Sequence, residues 1–301
     1  MPARDFRPAH LLPEQVATII GLVSDTHFPQ RCRQLPAALF DVLAGADVVL
    51  HAGDVGELSV LDELSCIAPV IAVHGNDDTV TAQRELPYQQ VITAHGVRIF
   101  LWHSHYPDAE EERASRKSDD MIAKLGRSVA QAERTGAAVT VFGHWHIPLT
   151  YRQNGVVVVN PGAIASGNPI TRQLHQTAAL LFLDRGGMSH IVHVDLAQPD
   201  RPFDPGIDVQ QGFAAALNRF SRSIMSPELM AELPRVRSQL TPAELGALRE
   251  FVFELSHRCW AGELPLLDLQ VFVTEMERTD TLPPALRARL QSLWETAPDQ
   301  P

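Results

Sequence analysis

Residues 17–27 read ATIIGLVSDTH, and this stretch decides the fold. Ala17–Ser24 is an apolar, β-branched run of strand length, and Asp25-Thr26-His27 follows it without a spacer. Such a run reads as a buried strand. Polar residues directly at its end belong to the loops at the carboxyl edge of a sheet, where ligands bind. The arrangement recurs along the chain. Val48–His51 leads into Gly53-Asp54, Val70–Val73 into His74-Gly75-Asn76-Asp77-Asp78, Ile99–Trp102 into His103, and Val139–Phe142 into Gly143-His144-Trp145-His146.

Working outward, Pro36–Leu43 and Leu58–Leu64 read as helices between the first strands, which makes βαβ units. The pattern then changes to hairpins. Gln90–Ala94 and Ile99–Trp102 flank His95-Gly96. Tyr151 to Val159 turns at Asn154-Gly155, and Leu180–Asp184 and His190–Asp195 flank Arg185-Gly186-Gly187. Residues 108–135 read as one long helix, with Met121, Ile122, Leu125 and Val129 at helical spacing and Gly136 as its stop. The class expected is mixed α/β: a two-sheet sandwich flanked by helices.

Pro199, Pro202 and Pro205 precede Gly206 and suggest a boundary, giving a domain over 1–198 and an extension over 199–301. Residues 208–296 contain no convincing strand and read as an all-helical appendage. Thr241-Pro242-Ala243-Glu244 is a capping box, after which Leu245, Leu248, Val252, Leu255 and Cys259 share one helical face. Ser226-Pro227 opens another helix in the same way.

The formal net charge of −11 argues against non-specific nucleic-acid binding, because an acidic chain repels polyphosphate backbones. A small phosphate ester held by cations is still allowed. Cys32, Cys66 and Cys259 are odd in number and form no CxxC, which fits a reducing compartment and no thiolate zinc site. The first residues contain no apolar signal core and no run long enough to span a bilayer. A cytoplasmic protein without membrane association is expected.

Aspartate, histidine and asparagine are hard and borderline donors, suited to manganese, iron or zinc more than to calcium. Asp25 and His27 stand two apart, so on extended backbone they point the same way; His144 and His146 repeat the spacing. Alone, each cluster has a plainer reading: Gly-Asn-Asp-Asp is a turn, and His103 a strand-end histidine. All five in this order, each at a strand end, point to a metal centre.

These five clusters resemble the calcineurin-like metallophosphoesterase superfamily: D-x-H, G-D, G-N-H-D/E, H and G-H-x-H. The compact spacing, with Asn160-Pro161-Gly162, is similar to its small bacterial and archaeal phosphodiesterase branch, whose fold the retromer subunit shares. The resemblance spans residues 17–195. It implies a four-layer β-sandwich and two divalent metals, manganese first, with iron, zinc, nickel or cobalt as alternatives. Asp25, His27, Asp54 and His146 would hold one metal and Asp54, Asn76, His103 and His144 the other. A hydroxide between two such ions would attack a phosphate ester.

Asp77 departs from the pattern, standing where the family usually carries histidine. Asp77, His74 and His105 are the candidates to touch phosphate or move a proton, with support of the ligands as the other reading for both histidines. His51 is read as support; His10, His95, His175, His190, His193 and His257 as structural or surface residues. Glu110–Glu112 reads as a solvated first helical turn, with guarding the cleft mouth as the alternative. The substrate expected is a phosphodiester. A phosphomonoesterase, or a metal-binding interaction scaffold, is the competing reading. The helical tail offers amphipathic faces for intramolecular packing, a partner or a homo-oligomer.

Overall fold

The computed structural model describes residues 5–187 and 189–295. The described residues form two compact units, one of residues 5–167 and 173–221, the other of residues 168–172 and 222–295.

In the first unit the strands and helices follow as β1 (Val16–Val23), α1 (Ala37–Leu43), β2 (Val48–His51), α2 (Ser59–Ser65), β3 (Val70–Ala72), α3 (Val80–Glu85), β4 (Gln89–Ala94), β5 (Val97–Trp102), α4 (Ala109–Lys117), α5 (Met121–Thr135), β6 (Val139–Phe142), β7 (Leu149–Gln153) and β8 (Val156–Asn160). The short β9 (Thr171–Gln173), then β10 (Thr177–Asp184), β11 (Ser189–Asp195), α6 (Phe213–Phe220) and β12 (Ser221–Ser223) follow, of which β9 and β12 fall where the chain passes from one unit to the other. One sheet has the order β11-β10-β1-β2-β3, the other β4-β5-β6-β8-β7. In the first, β1, β2 and β3 are parallel, with Val23 beside His51 and His51 beside Ala72, so their carboxyl ends are level. In the second, β5, β6 and β8 are parallel, with Trp102 beside Phe142.

Alternation of side chains explains the layers. Ile20, Leu22, Leu50, Ile99, Leu101, Val139, Val141, Val157, Val159, Ala179 and Leu181 fill the space between the sheets. The opposite faces are apolar as well. Val23, Val49, Leu180 and Phe182 pack against Leu39, Val42 and Leu43 of α1 and Val60 and Leu64 of α2. Phe100, Trp102, Phe142 and Val158 pack against Met121, Leu125 and Val129 of α5. Helix, sheet, sheet and helix form the expected four-layer sandwich, and burial on both faces is why these strands read as continuous apolar runs.

Two expectations are corrected. The helix over 108–135 is two helices, broken at Ser118-Asp119-Asp120. The Asp120 carboxylate accepts the Ala123 amide and so starts α5 afresh. The stretch 199–221, assigned above to the appendage, lies in the first unit, because Phe203, Phe213, Ala216 and Phe220 return to the cluster around Trp102.

The second unit is built of α7 (Pro227–Arg237), α8 (Pro242–Ala261), α9 (Leu269–Arg278) and α10 (Pro284–Glu295). Val236, Leu248, Phe251, Leu255, Phe272, Met276 and Leu290 form its core. Thr241 and Glu244 make the expected capping box, and Ser226 caps α7. Among the described residues no helix is long and apolar enough to cross a membrane.

Candidate metal centre

Level strand ends bring the five clusters to one rim. Donor atoms of Asp25, His27 and His146 lie within 4.8 Å of one another, as do those of Asp54, His103 and His144. Asp54 connects the two groups: its Oδ2 is 3.7 Å from Nε2 of His27 and 3.2 Å from Nε2 of His103. On the other side, Nε2 of His146 is 3.2 Å from Asp25 Oδ1 and 3.4 Å from Nε2 of His27.

The backbone is bent to achieve this. Asp25, His27, Asp54, His144 and His146 all have positive φ, between 44° and 72°. Residues with a Cβ avoid that region, and such strain concentrates at functional sites. Close approach demands glycine nearby. A Cβ on Gly75 would stand 2.1 Å from Asp54 Oδ1, and one on Gly143 would stand 2.6 Å from the Ala52 carbonyl oxygen. Asn160 holds the loop after β6, donating to the Gly143 carbonyl and accepting from the Gly162 amide.

Asp25, Asp54 and His103 are buried. Two carboxylates out of water require positive charge beside them. Burial opposes charge on His103, but Asp54 and Asp25 outweigh it and raise its pKa to about 10. Burial likewise opposes ionisation of Asp25, yet His146 and His103 bring its carboxyl down to about 2. Asp54 is held well below the usual carboxylate range against its burial, chiefly by His103 and His27. Burial pushes His27 down to about 3, with Arg31 acting in the same direction. The Asn76 side-chain oxygen is buried with no donor. This set of carboxylates, imidazoles and one orphaned amide oxygen fits divalent cations.

The three further candidates are placed differently. Asp77 is exposed; its Oδ2 pairs with Nη2 of Arg31 at 2.8 Å and its amide donates to Asp54 Oδ1 at 2.8 Å. Asp77 also lies within donor reach of His27 and Asp54. The His105 ring stands 5.5 Å from His103 and 5.9 Å from His74, centroid to centroid. Its Nδ1 is buried and unpartnered, and burial followed by the neighbouring histidines lowers its pKa to about 3. His51 does support the site: its Nε2 meets Thr26 Oγ1 at 3.0 Å.

Arg31 was missed, Asp78 was quoted in its cluster without a role, and Glu112 was read with its neighbours as a solvated turn. Arg31 donates to the Gly167 carbonyl and stands 3.1 Å from Nδ1 of His27. Asp78 ties two loops together, its oxygens accepting from the Gly56 and Gly75 amides at 2.6 Å. Burial, then repulsion by Asp54, raises the Asp78 pKa to about 6. Glu112 overturns the solvated-turn reading, because its Oε1 meets Nε2 of His144 at 2.9 Å while Glu110 and Glu111 stay exposed. Nothing in the sequence distinguishes Glu112 from Glu110 and Glu111.

A model of the calcineurin-like phosphoesterase superfamily domain matches residues 19–186. The chain belongs to that superfamily. A probable metallophosphoesterase of Methanothermobacter thermautotrophicus is 32% identical over 146 residues, 48% of this chain and 76% of that protein. A second probable metallophosphoesterase, of Methanocaldococcus jannaschii, is 31% identical over 145 residues, 48% of this chain and 67% of that one. The solved structure of Vacuolar Protein Sorting 29 from Cryptosporidium parvum covers 60% of this chain and 98% of its own, at 18% identity and a TM-score of 0.44. The family assignment makes this chain a phosphoesterase hydrolase of a superfamily that uses divalent metals. The helices after residue 222 lie outside the matched range.

Proposed function

We propose that the chain is a phosphodiesterase that works with two divalent ions. The observation that supports this most is the meeting of six donor side chains from four strand ends, Asp25, His27, Asp54, His103, His144 and His146, with both carboxylates buried. Asp25, His27, Asp54 and His146 would hold one ion, and Asp54, Asn76, His103 and His144 the other. When bound, such ions supply Lewis acidity toward a phosphoryl oxygen and lower the pKa of water at the site.

The other groups at the rim bear on which ester is taken. Arg31 is held between Asp77 and the Gly167 carbonyl beside His27, and its guanidinium can meet a phosphate oxygen by exchanging its Asp77 partner. Asp77 is engaged by that cation. His105 is neutral at pH 7, so it offers a neutral N–H and no imidazolium. A site without a charged acid favours esters with good leaving groups. The carboxylates of Asp77 and Glu112 repel a dianionic monoester more than a monoanionic diester.

The test is hydrolysis of a chromogenic phosphodiester beside the matching monoester, by metal-stripped protein resupplied with manganese, with Asp54→Ala as control. Diester turnover that needs metal and disappears in Asp54→Ala is the expected result. Turnover of the monoester alone would refute the diester reading, and no turnover of either with two ions bound per chain would refute both.

A further inference from the structure

We infer that Glu112 is a positioning residue of the metal centre: its carboxylate accepts a hydrogen bond from Nε2 of His144 and thereby turns Nδ1 of that ring toward Asp54 and His103. The purpose of this contact rests on the metal reading above; its geometry does not.

An imidazole must be neutral to act as a metal ligand and then carries one N–H and one lone pair, so pinning the N–H decides where the lone pair points. Two rings of the centre are pinned by backbone carbonyls. Nδ1 of His103 meets the Ala52 oxygen at 2.8 Å, which leaves Nε2 toward Asp54. Nδ1 of His146 meets the Ala165 oxygen at 3.0 Å, which leaves Nε2 toward Asp25. His144 follows the same logic with the nitrogens exchanged and a different acceptor. Its Nε2 meets Glu112 Oε1 at 2.9 Å.

Glu112 is itself held in place. Its Oε2 accepts the Tyr106 amide at 2.9 Å, and its Oε1 accepts from Nε of Arg116 at 2.6 Å. It projects from α4, whose start is fixed by Asp108 accepting the Glu110 and Glu111 amides. The donor atoms gathered within 4.8 Å of one another are those of Asp54, His103 and His144; Glu112 stands outside that group and acts from behind the ring. A carboxylate in this position fixes the tautomer and raises the basicity of the facing nitrogen more than a carbonyl does. The second site therefore depends on α4, while the first does not.

The test uses the full chain, metal-stripped and labelled with 15N-histidine. Two-bond 1H–15N correlation spectra should find His144 as the Nε2–H tautomer in the wild type, and this signature should be lost in Glu112→Ala. Calorimetric titration with manganese should show the second equivalent weakened about 10–100-fold in Glu112→Ala, and the first changed by less than about 3-fold. A wild-type His144 that carries its proton on Nδ1 would overturn the inference without recourse to any variant. So would a Glu112→Ala protein that binds both equivalents as the wild type does. Neither readout requires turnover, so a wild type that hydrolyses no phosphate ester would sink the proposed function and leave this inference standing.

Discussion

Replacing Gly75 by alanine should damage the centre without touching a donor. The added Cβ would stand 2.1 Å from Asp54 Oδ1, 2.7 Å from its Cγ and 2.6 Å from its backbone nitrogen. A carboxylate can swing; a backbone nitrogen in a strained loop cannot, so rotation of the Asp54 side chain alone does not relieve the clash. Overpacking of this kind costs about 1–3 kcal/mol. Moving Oδ1 also breaks its bond from the Asp77 amide, and losing one bond to a buried charge adds about 1.5–3 kcal/mol. A total near 4 kcal/mol corresponds to a fall in Tm of about 8–16 °C for a unit of this size. Gly126→Ala is the matched control: it lies inside α5, nothing stands within 4 Å of its added Cβ, and it should stabilise by about 0.5–1 kcal/mol. Scanning calorimetry reads both variants, and manganese titration reads the centre. Because Asp54 faces both donor groups, Gly75→Ala should weaken both metal equivalents. A Gly75→Ala protein that melts within about 2 °C of the wild type and binds manganese unchanged would refute the reasoning.

Two further predictions follow from burial. Cys66 is exposed, whereas Cys32 is buried and its thiol is pushed up to about 11 by that burial. Brief iodoacetamide treatment of the folded protein at pH 8 should therefore modify Cys66 and spare Cys32, as read by peptide mass spectrometry; equal labelling would contradict the buried position. His193 is buried on β11, its Nε2 meeting Thr150 Oγ1 at 2.9 Å, and burial lowers its pKa to about 4. The unfolded chain then binds the extra proton between about pH 6.5 and 4, so the contribution is full above pH 6.5 and is lost on acidification, by up to about 3 kcal/mol. The difference in Tm between pH 7.5 and pH 5 should be smaller in His193→Gln than in the wild type, and an equal drop in both would dismiss this role.

The donors were legible because each is a property of a short piece of chain. A strand end, a glycine and donors two residues apart are visible in the sequence, and the resemblance added the ligand set, so Asp25, His27, Asp54, Asn76, His103, His144 and His146 could be named as candidates before any tertiary contact was known. The two-sheet sandwich was legible for a related reason: burial on both faces writes itself as continuous apolar runs. The break between α4 and α5 had a signal that went unread, the N-cap Asp120, because the apolar spacing of α5 drew the helix past it.

Other features are pair properties, and periodicity carries no information about pairs. Glu110, Glu111 and Glu112 are identical as residues; only the direction in which α4 leaves the loop after His103 decides that Glu112 meets His144. Arg31 and Asp77 are 46 positions apart and meet because β1 and β3 end at the same level. Three prolines near residue 200 look like a boundary, yet Phe203, Phe213 and Phe220 return to the first core, since the gain from burying aromatic surface exceeds any local preference for a break. The sequence by itself determined which side chains could bind metal and on which sheet edge they stand. Only the tertiary structure decided which charges surround them, because a charge acts through distance in space and the chain records only distance along itself.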